Sequence, residues 1–69
     1  MLKIGGVYLH YKQKKYRVLG VARHSETLEE LVVYECLYEN PSGQLWVRPL
    51  KMFLGKTEAG EPRFRLIEE

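Results

Sequence analysis

The sequence predicts a small all-β domain with one helical turn near its end, and three observations carry that reading. Val18-Leu-Gly-Val-Ala22 and Leu31-Val-Val-Tyr34 are apolar, β-branched runs on either side of a polar loop, the pattern of an antiparallel hairpin. Glu39-Asn-Pro-Ser-Gly43 gathers turn formers between two further apolar runs. The 69 residues leave room for one domain, 1–69, and a composition 45% hydrophobic and 12% aromatic is rich enough to give it a core.

Strand one is expected over Gly6 to Tyr11, followed by a short turn at Lys12-Gln-Lys14. Strand two runs from Lys15 to Arg23, with Gly20 as a point of bending or close backbone approach. His24 to Glu29 connects it to strand three, Glu30 to Tyr38. Strand four, Gln44 to Arg48, ends at Pro49, which cannot donate to a ladder. Leu50-Lys-Met-Phe-Leu54 fits one helical or 3₁₀ turn, with Pro49 near its start and Gly55 just past its end. Lys56 to Pro62 is a polar connector, and Arg63-Phe-Arg-Leu-Ile67 alternates as a short last strand.

Both faces of strand three are largely apolar. Val32, Tyr34, Cys36 and Tyr38 share one face; Leu31, Val33, Glu35 and Leu37 share the other. A flat sheet would leave one set in water. A strongly curved sheet with the helical turn packed over it covers part of both, and any remainder is a surface for binding or self-association. Five short strands with a helical turn before the last describe a small SH3-like barrel. With Glu39 to Gln44 as the loop, Tyr38 faces Leu45, Cys36 faces Val47, Leu37 faces Trp46, and Glu35 pairs with Arg48.

Net charge is only +2. Lys12, Lys14, Lys15 and Arg17 form an early basic knot. Such a knot can touch phosphates, although a solvated turn is the commoner use of one. Cys36 is the sole cysteine, so no internal disulfide and no Cys-rich zinc site can form, in keeping with a reducing compartment. No apolar run reaches the length of a membrane span and the first residues are not a signal peptide, so a cytoplasmic protein is expected.

His24, Ser25 and Glu26 invite a catalytic reading. A nucleophile needs a base in reach and a third group to orient that base, and side chains of adjacent loop residues diverge. Loop construction is the simpler role for them: Ser25 and Thr27 hydroxyls can bond backbone amides, and His24 can bridge to a carbonyl. A small hydrolase using His24 or His10 as general base is a lesser alternative. The two His residues fit no metal-ligand spacing, and nothing calls for a cofactor. The remaining candidates are the aromatics Trp46, Tyr8, Tyr11, Tyr16, Tyr34 and Tyr38 beside Arg48, Arg17 and Arg23, an unspecific signature because most such rings belong to a core. Trp46 and Tyr8 could stack bases while Arg17, Arg23 and Arg48 hold phosphates. Trp46 is the aromatic expected to be partly exposed.

Tyr8-Leu-His-Tyr-Lys12, Tyr16-Arg-Val-Leu-Gly-Val-Ala-Arg-His-Ser-Glu-Thr27, Leu31-Val-Val-Tyr34 and Leu45-Trp-Val-Arg-Pro-Leu-Lys-Met-Phe53 resemble a small bacterial family of unknown function, DUF1653. The resemblance runs from Gly6 to Phe64. It implies a stand-alone SH3-like β-protein and no reaction, so it transfers no catalytic residue. It falls on the same two blocks as the residue-level reading. His10, Arg23, His24, Ser25, Glu26, Thr27, Trp46 and Arg48 are therefore expected around one surface or one structural polar network. The functional expectation is a non-enzymatic module that binds RNA or another nucleic acid. The alternative is a module for a protein partner or for its own homodimer.

Overall fold

The computed structural model describes residues 2–69, which form five strands and one short helix. The strands are β1 (Val7–His10), β2 (Lys15–Arg23), β3 (Glu30–Cys36), β4 (Leu45–Pro49) and β5 (Phe64–Glu68); α1 (Leu50–Phe53) follows β4 directly. All pairings are antiparallel, in a single sheet of order β4-β3-β2-β1-β5. The all-β class, the five strands and the helical turn are as the sequence predicts. The closed barrel is not: β4 and β5 are the two edges of an open sheet.

The sheet nevertheless curls hard. A flat sheet with about 4.8 Å per strand would hold β3 and β5 about 14 Å apart. The rings of Tyr34 on β3 and Phe64 on β5 have centroids only 5.8 Å apart. The bend is helped by a bulge in β2, where Val18 opposes Tyr34 and Gly20 already opposes Val33, leaving Leu19 unpaired. Gly20 therefore marks the bend. It is not a site of close approach, because a Cβ there would meet nothing within 4 Å.

The concave face holds the core: Tyr8, Val18, Val32, Tyr34, Phe53 and Phe64. Alternation along β3 puts Val32, Tyr34 and Cys36 on this buried face and leaves Leu31, Val33 and Glu35 half-buried on the other. Phe53 is the helix's contribution. It lies flat on Phe64 with centroids 4.0 Å apart and meets Tyr8 edge-on at 5.3 Å. Pro49 at the N-cap prepares the helical turn, and the Gly55 N–H closes it on the Met52 carbonyl. Truncating Phe53 to alanine would cost about 3–5 kcal/mol, a large share of what a domain this small can hold.

Two expectations about β4 are corrected. Leu31 opposes Pro49, Val33 opposes Val47, Tyr34 opposes Trp46 and Glu35 opposes Leu45. The hairpin is thus displaced by three residues from the expected register, and the Glu35–Arg48 ion pair does not form; Arg48 stands opposite Val32. The cause is a longer loop. Side chains of Asn40 and Gln44 take over backbone groups within it: Gln44 Nε2 donates to the Cys36 carbonyl at 3.0 Å, and Ser42 N–H donates to Asn40 Oδ1 at 2.9 Å. Pro49 also belongs to β4 instead of ending it, which an edge strand permits. Among the described residues no helix is long and apolar enough to cross a membrane.

Candidate functional site

The corrected register builds the site. With Tyr34 opposite Trp46, and Tyr16 on β2 opposite Cys36, the aromatic side chains of three strands converge on the concave face at the end away from the His24 loop. Tyr38, just past β3, joins them. Together with Asn40 and Arg48 they line a cleft of about 190 Å³. Tyr16 meets Tyr34 edge-on at 5.2 Å and Tyr38 at 5.6 Å. The Tyr16 and Tyr38 hydroxyls share a hydrogen bond of 2.9 Å. Trp46 is 38% exposed, its indole N–H donating to the Gly43 carbonyl at 3.0 Å. That bond fixes the ring as a wall and leaves a face of it to solvent.

The polar groups of the cleft are mostly engaged with one another. Asn40 Nδ2 reaches Tyr38 Oη at 3.4 Å and Cys36 Sγ at 3.6 Å, while its Oδ1 accepts from Ser42. Arg48 is the exception. Its guanidinium lies over the Phe64 ring, 5.4 Å from the centroid, and among the described residues it makes no side-chain hydrogen bond or ion pair. Lys14 sits over Tyr38 at 4.9 Å, on the opposite flank. The single ion pair among the described residues is the exposed Lys3–Glu69 contact, far along the chain from these cations.

Two titrating groups report the same environment. Burial raises the Tyr16 hydroxyl well above the usual tyrosine value, and the bond with Tyr38 adds to it. Burial pushes His10 below its usual value, and the positive charges of Arg48, Arg63 and Lys12 push it further. His10 packs edge-on against Phe64 at 4.8 Å and Tyr16 at 6.3 Å, and its Nδ1 accepts from the Lys12 N–H at 3.1 Å. It therefore links the aromatic cleft to a second, larger depression of about 340 Å³ lined by Leu9, His10, Tyr11, Glu61, Pro62 and Arg65, among others. Arg63 lies 5.9 Å from the Tyr11 ring beside it. Rings and cations thus run from Trp46 and Arg48, past His10, to Tyr11 and Arg63, where Glu61 also lines the surface.

Of the residues singled out in the sequence, Trp46, Arg48 and His10 meet on this face. Tyr8 does not: it is 4% exposed, and its hydroxyl accepts the Lys3 N–H at 2.9 Å, so no base can reach its ring. Arg17 lies between core-facing Tyr16 and Val18 and so points from the other face, where it donates to the Gly5 carbonyl at 3.0 Å. Arg23 donates to the Leu28 carbonyl at 3.1 Å and lines a separate cleft with Leu28, Glu29, Glu30, Leu50 and Lys51.

The loop from His24 to Thr27 is built for its own geometry. His24 Nδ1 accepts N–H bonds from Glu26 at 3.1 Å and Thr27 at 3.4 Å, and Thr27 Oγ1 accepts from Glu29 N–H at 3.2 Å. The His24 ring accepts here, where a donated bond to a carbonyl was expected. Ser25 and Glu26 are exposed, and no base–nucleophile contact joins them to His24. Tyr16, Tyr34 and Tyr38 are among the candidate aromatics of the sequence and Lys14 belongs to its basic knot, but nothing in the sequence marks Asn40 or Arg63. The three tyrosines were legible as a face of β3 and its partner, but only the true register sets that face beside Trp46. Among the described residues no group of three or more His, Cys, Asp or Glu side chains can hold a metal.

Residues 6–66 match the family model described as a protein of unknown function, DUF1653. The chain is also similar to a solved crystal structure of a DUF1653 protein from Bordetella bronchiseptica, at 40% identity and a TM-score of 0.83, covering 94% of this chain and 87% of that one. No curated protein matches the chain. Sequence and fold agree across nearly the whole length, and the chain belongs to the DUF1653 family.

Proposed function

We propose that this protein is a non-enzymatic module that binds single-stranded nucleic acid, RNA in the first place, on the concave face of its sheet. The observation that carries the reading is Arg48, a cation without a carboxylate partner, beside the open indole of Trp46 and the three-tyrosine cleft. A ring-lined cleft flanked by free cations is what a flat base on a charged backbone requires. The cleft volume of about 190 Å³ suits one base and not a folded helix. Lys14 over Tyr38, and Lys12 and Arg63 both beside Tyr11, extend positive charge along the track, up to Glu58 and Glu61 beyond Tyr11. Strand order β4-β3-β2-β1-β5 with a helical turn before β5 supports an SH3-like arrangement, an architecture in which a curved sheet presents such a groove. The engagement of His24 in its own loop supports binding without catalysis. The buried thiol of Cys36 supports residence in the reducing cytoplasm.

Because Trp46 is the sole tryptophan, its fluorescence reports directly on the cleft. Titration with single-stranded RNA is expected to quench it. Neutralising two to four phosphates gives a log–log salt slope of about −1.4 to −2.8. Arg48→Ala is expected to weaken binding and to reduce that slope. Unchanged affinity in both Arg48→Ala and Trp46→Ala would refute the proposal.

A further inference from the structure

Bases differ in the donors and acceptors they show at their edges. Guanine shows two adjacent acceptors, N7 and O6; adenine shows N7 beside an amino donor; cytosine carries an amino donor. Uracil carries an imino N–H between its two carbonyls. Which base the aromatic cleft accepts therefore depends on which of its polar groups remain free once the fold has used the others.

Two side chains lining the cleft have the shape to read a purine through paired hydrogen bonds: an amide matches adenine and a guanidinium matches guanine. The amide is Asn40, and the fold has engaged it. Its Oδ1 accepts the Ser42 N–H at 2.9 Å, which turns Nδ2 toward Tyr38 Oη at 3.4 Å and Cys36 Sγ at 3.6 Å. Gln44, in the same loop, donates to the Cys36 carbonyl at 3.0 Å and accepts the Asn40 N–H at 3.4 Å. The Tyr16 and Tyr38 hydroxyls are bonded to each other, and the Trp46 N–H to the Gly43 carbonyl. Among the described residues no carboxylate lines the cleft to accept from an amino group. The guanidinium is Arg48. It rests on the Phe64 ring and has no hydrogen-bond or ion-pair partner among the described residues.

We propose that the cleft selects guanine, with N7 and O6 facing the Arg48 guanidinium and the ring laid on the open indole of Trp46. The inference rests on the nucleic-acid reading above and names the base which that reading leaves open. Two of the guanidinium N–H groups serve the base and the others remain for the adjoining phosphate, so one side chain supplies both preference and affinity. Adenine in the same place sets its amino group against a guanidinium N–H, donor against donor. Ring-walled clefts also take quaternary ammonium groups, but Arg48 inside this one excludes a cationic ligand.

Trp46 fluorescence titrations of the full chain with four RNA pentanucleotides test this. One is uridine throughout; the others carry a central guanosine, adenosine or cytidine. The guanosine oligomer is expected to bind at least about fivefold more tightly than the rest, the low end for one bidentate contact. Replacing its guanosine by 7-deazaguanosine, which puts a C–H in place of N7, is expected to remove most of that preference. Arg48→Gln exchanges the guanidinium for an amide that matches adenine. All affinities are expected to fall with the lost charge, and the ratio of guanosine to adenosine affinity to drop to one or below. Equal affinity for the four oligomers, or a preference for another base, would overturn the proposal while leaving nucleic-acid binding in place. So would a guanosine preference that 7-deazaguanosine or Arg48→Gln leaves intact. Absence of binding to all four would overturn both.

Discussion

The hydroxyls of Tyr16 and Tyr38 lie 2.9 Å apart, tying the middle of the sheet to the loop that leads into β4. Through that loop they hold Gly43, whose carbonyl fixes the Trp46 indole, and Asn40, which caps the cleft. One hydrogen bond thus connects the core of the sheet to the wall of the site.

Tyr16→Phe is expected to destabilise the fold by about 0.5–1.5 kcal/mol, with Tyr38→Phe costing a similar amount and the two coupled, because each removes the same bond. A double-mutant cycle by denaturant unfolding checks it. There is also a pH signature. The Tyr16 hydroxyl is raised in the folded state, by burial first, so the fold favours its protonated form. Its contribution is fully present below the ordinary tyrosine value near pH 10 and is lost as pH rises above it. Stability of the native chain should fall more steeply than that of Tyr16→Phe in that alkaline range.

His10 gives the opposite limb. Burial and the cations Arg48, Arg63 and Lys12 lower it in the folded state, so the fold favours the neutral ring. That contribution is present above pH 6.5, the unfolded value, and is lost as pH falls below it. His10→Gln is expected to flatten the acid side of the stability profile. Adding RNA phosphates beside the same cations should raise the His10 titration midpoint, measured by ring-proton NMR with and without ligand.

The His24 loop separates structure from function. Removing the ring in His24→Ala hands two exposed backbone N–H groups to water and is expected to cost about 0.5–1.5 kcal/mol in unfolding free energy. RNA affinity should be unchanged within twofold. Leu28 in the same loop has φ of 63°, in the left-handed region, and is 62% exposed. Leu28→Gly is therefore expected to stabilise by roughly 0.5–1 kcal/mol through relief of that strain.

Glu35 and Arg48 supply a test of the register itself. The loop residues predict them as a cross-strand pair, but they stand apart in the structure, Glu35 opposite Leu45 and Arg48 opposite Val32. Their coupling energy in a double-mutant cycle should lie within about 0.3–0.5 kcal/mol of zero.

Most of the fold was legible because local chemistry and tertiary packing agree. β-Branched runs became β2 and β3, and Pro49 and Gly55 bracketed the helical turn. The β3–β4 register was not legible. Asn-Pro-Ser-Gly reads as a tight turn, but Gln44 and Asn40 stabilise a longer loop by bonding backbone that a tight hairpin would pair. That displacement also hid the site, because it moved Tyr34 beside Trp46 and carried Arg48 onto the concave face. Tyr8, by contrast, looked like a stacking residue only because burial cannot be read from one aromatic in an alternating strand.

The most direct test is an amide-shift titration of labelled protein with short single-stranded RNA, at low and at moderate salt. Shifts are expected at Lys14, Tyr38, Asn40, Trp46 and Arg48, weakening as salt rises, with Arg17 and the His24–Thr27 loop unmoved. Flat spectra at both salts, or shifts confined to Arg17 and the convex face, would contradict the proposed function.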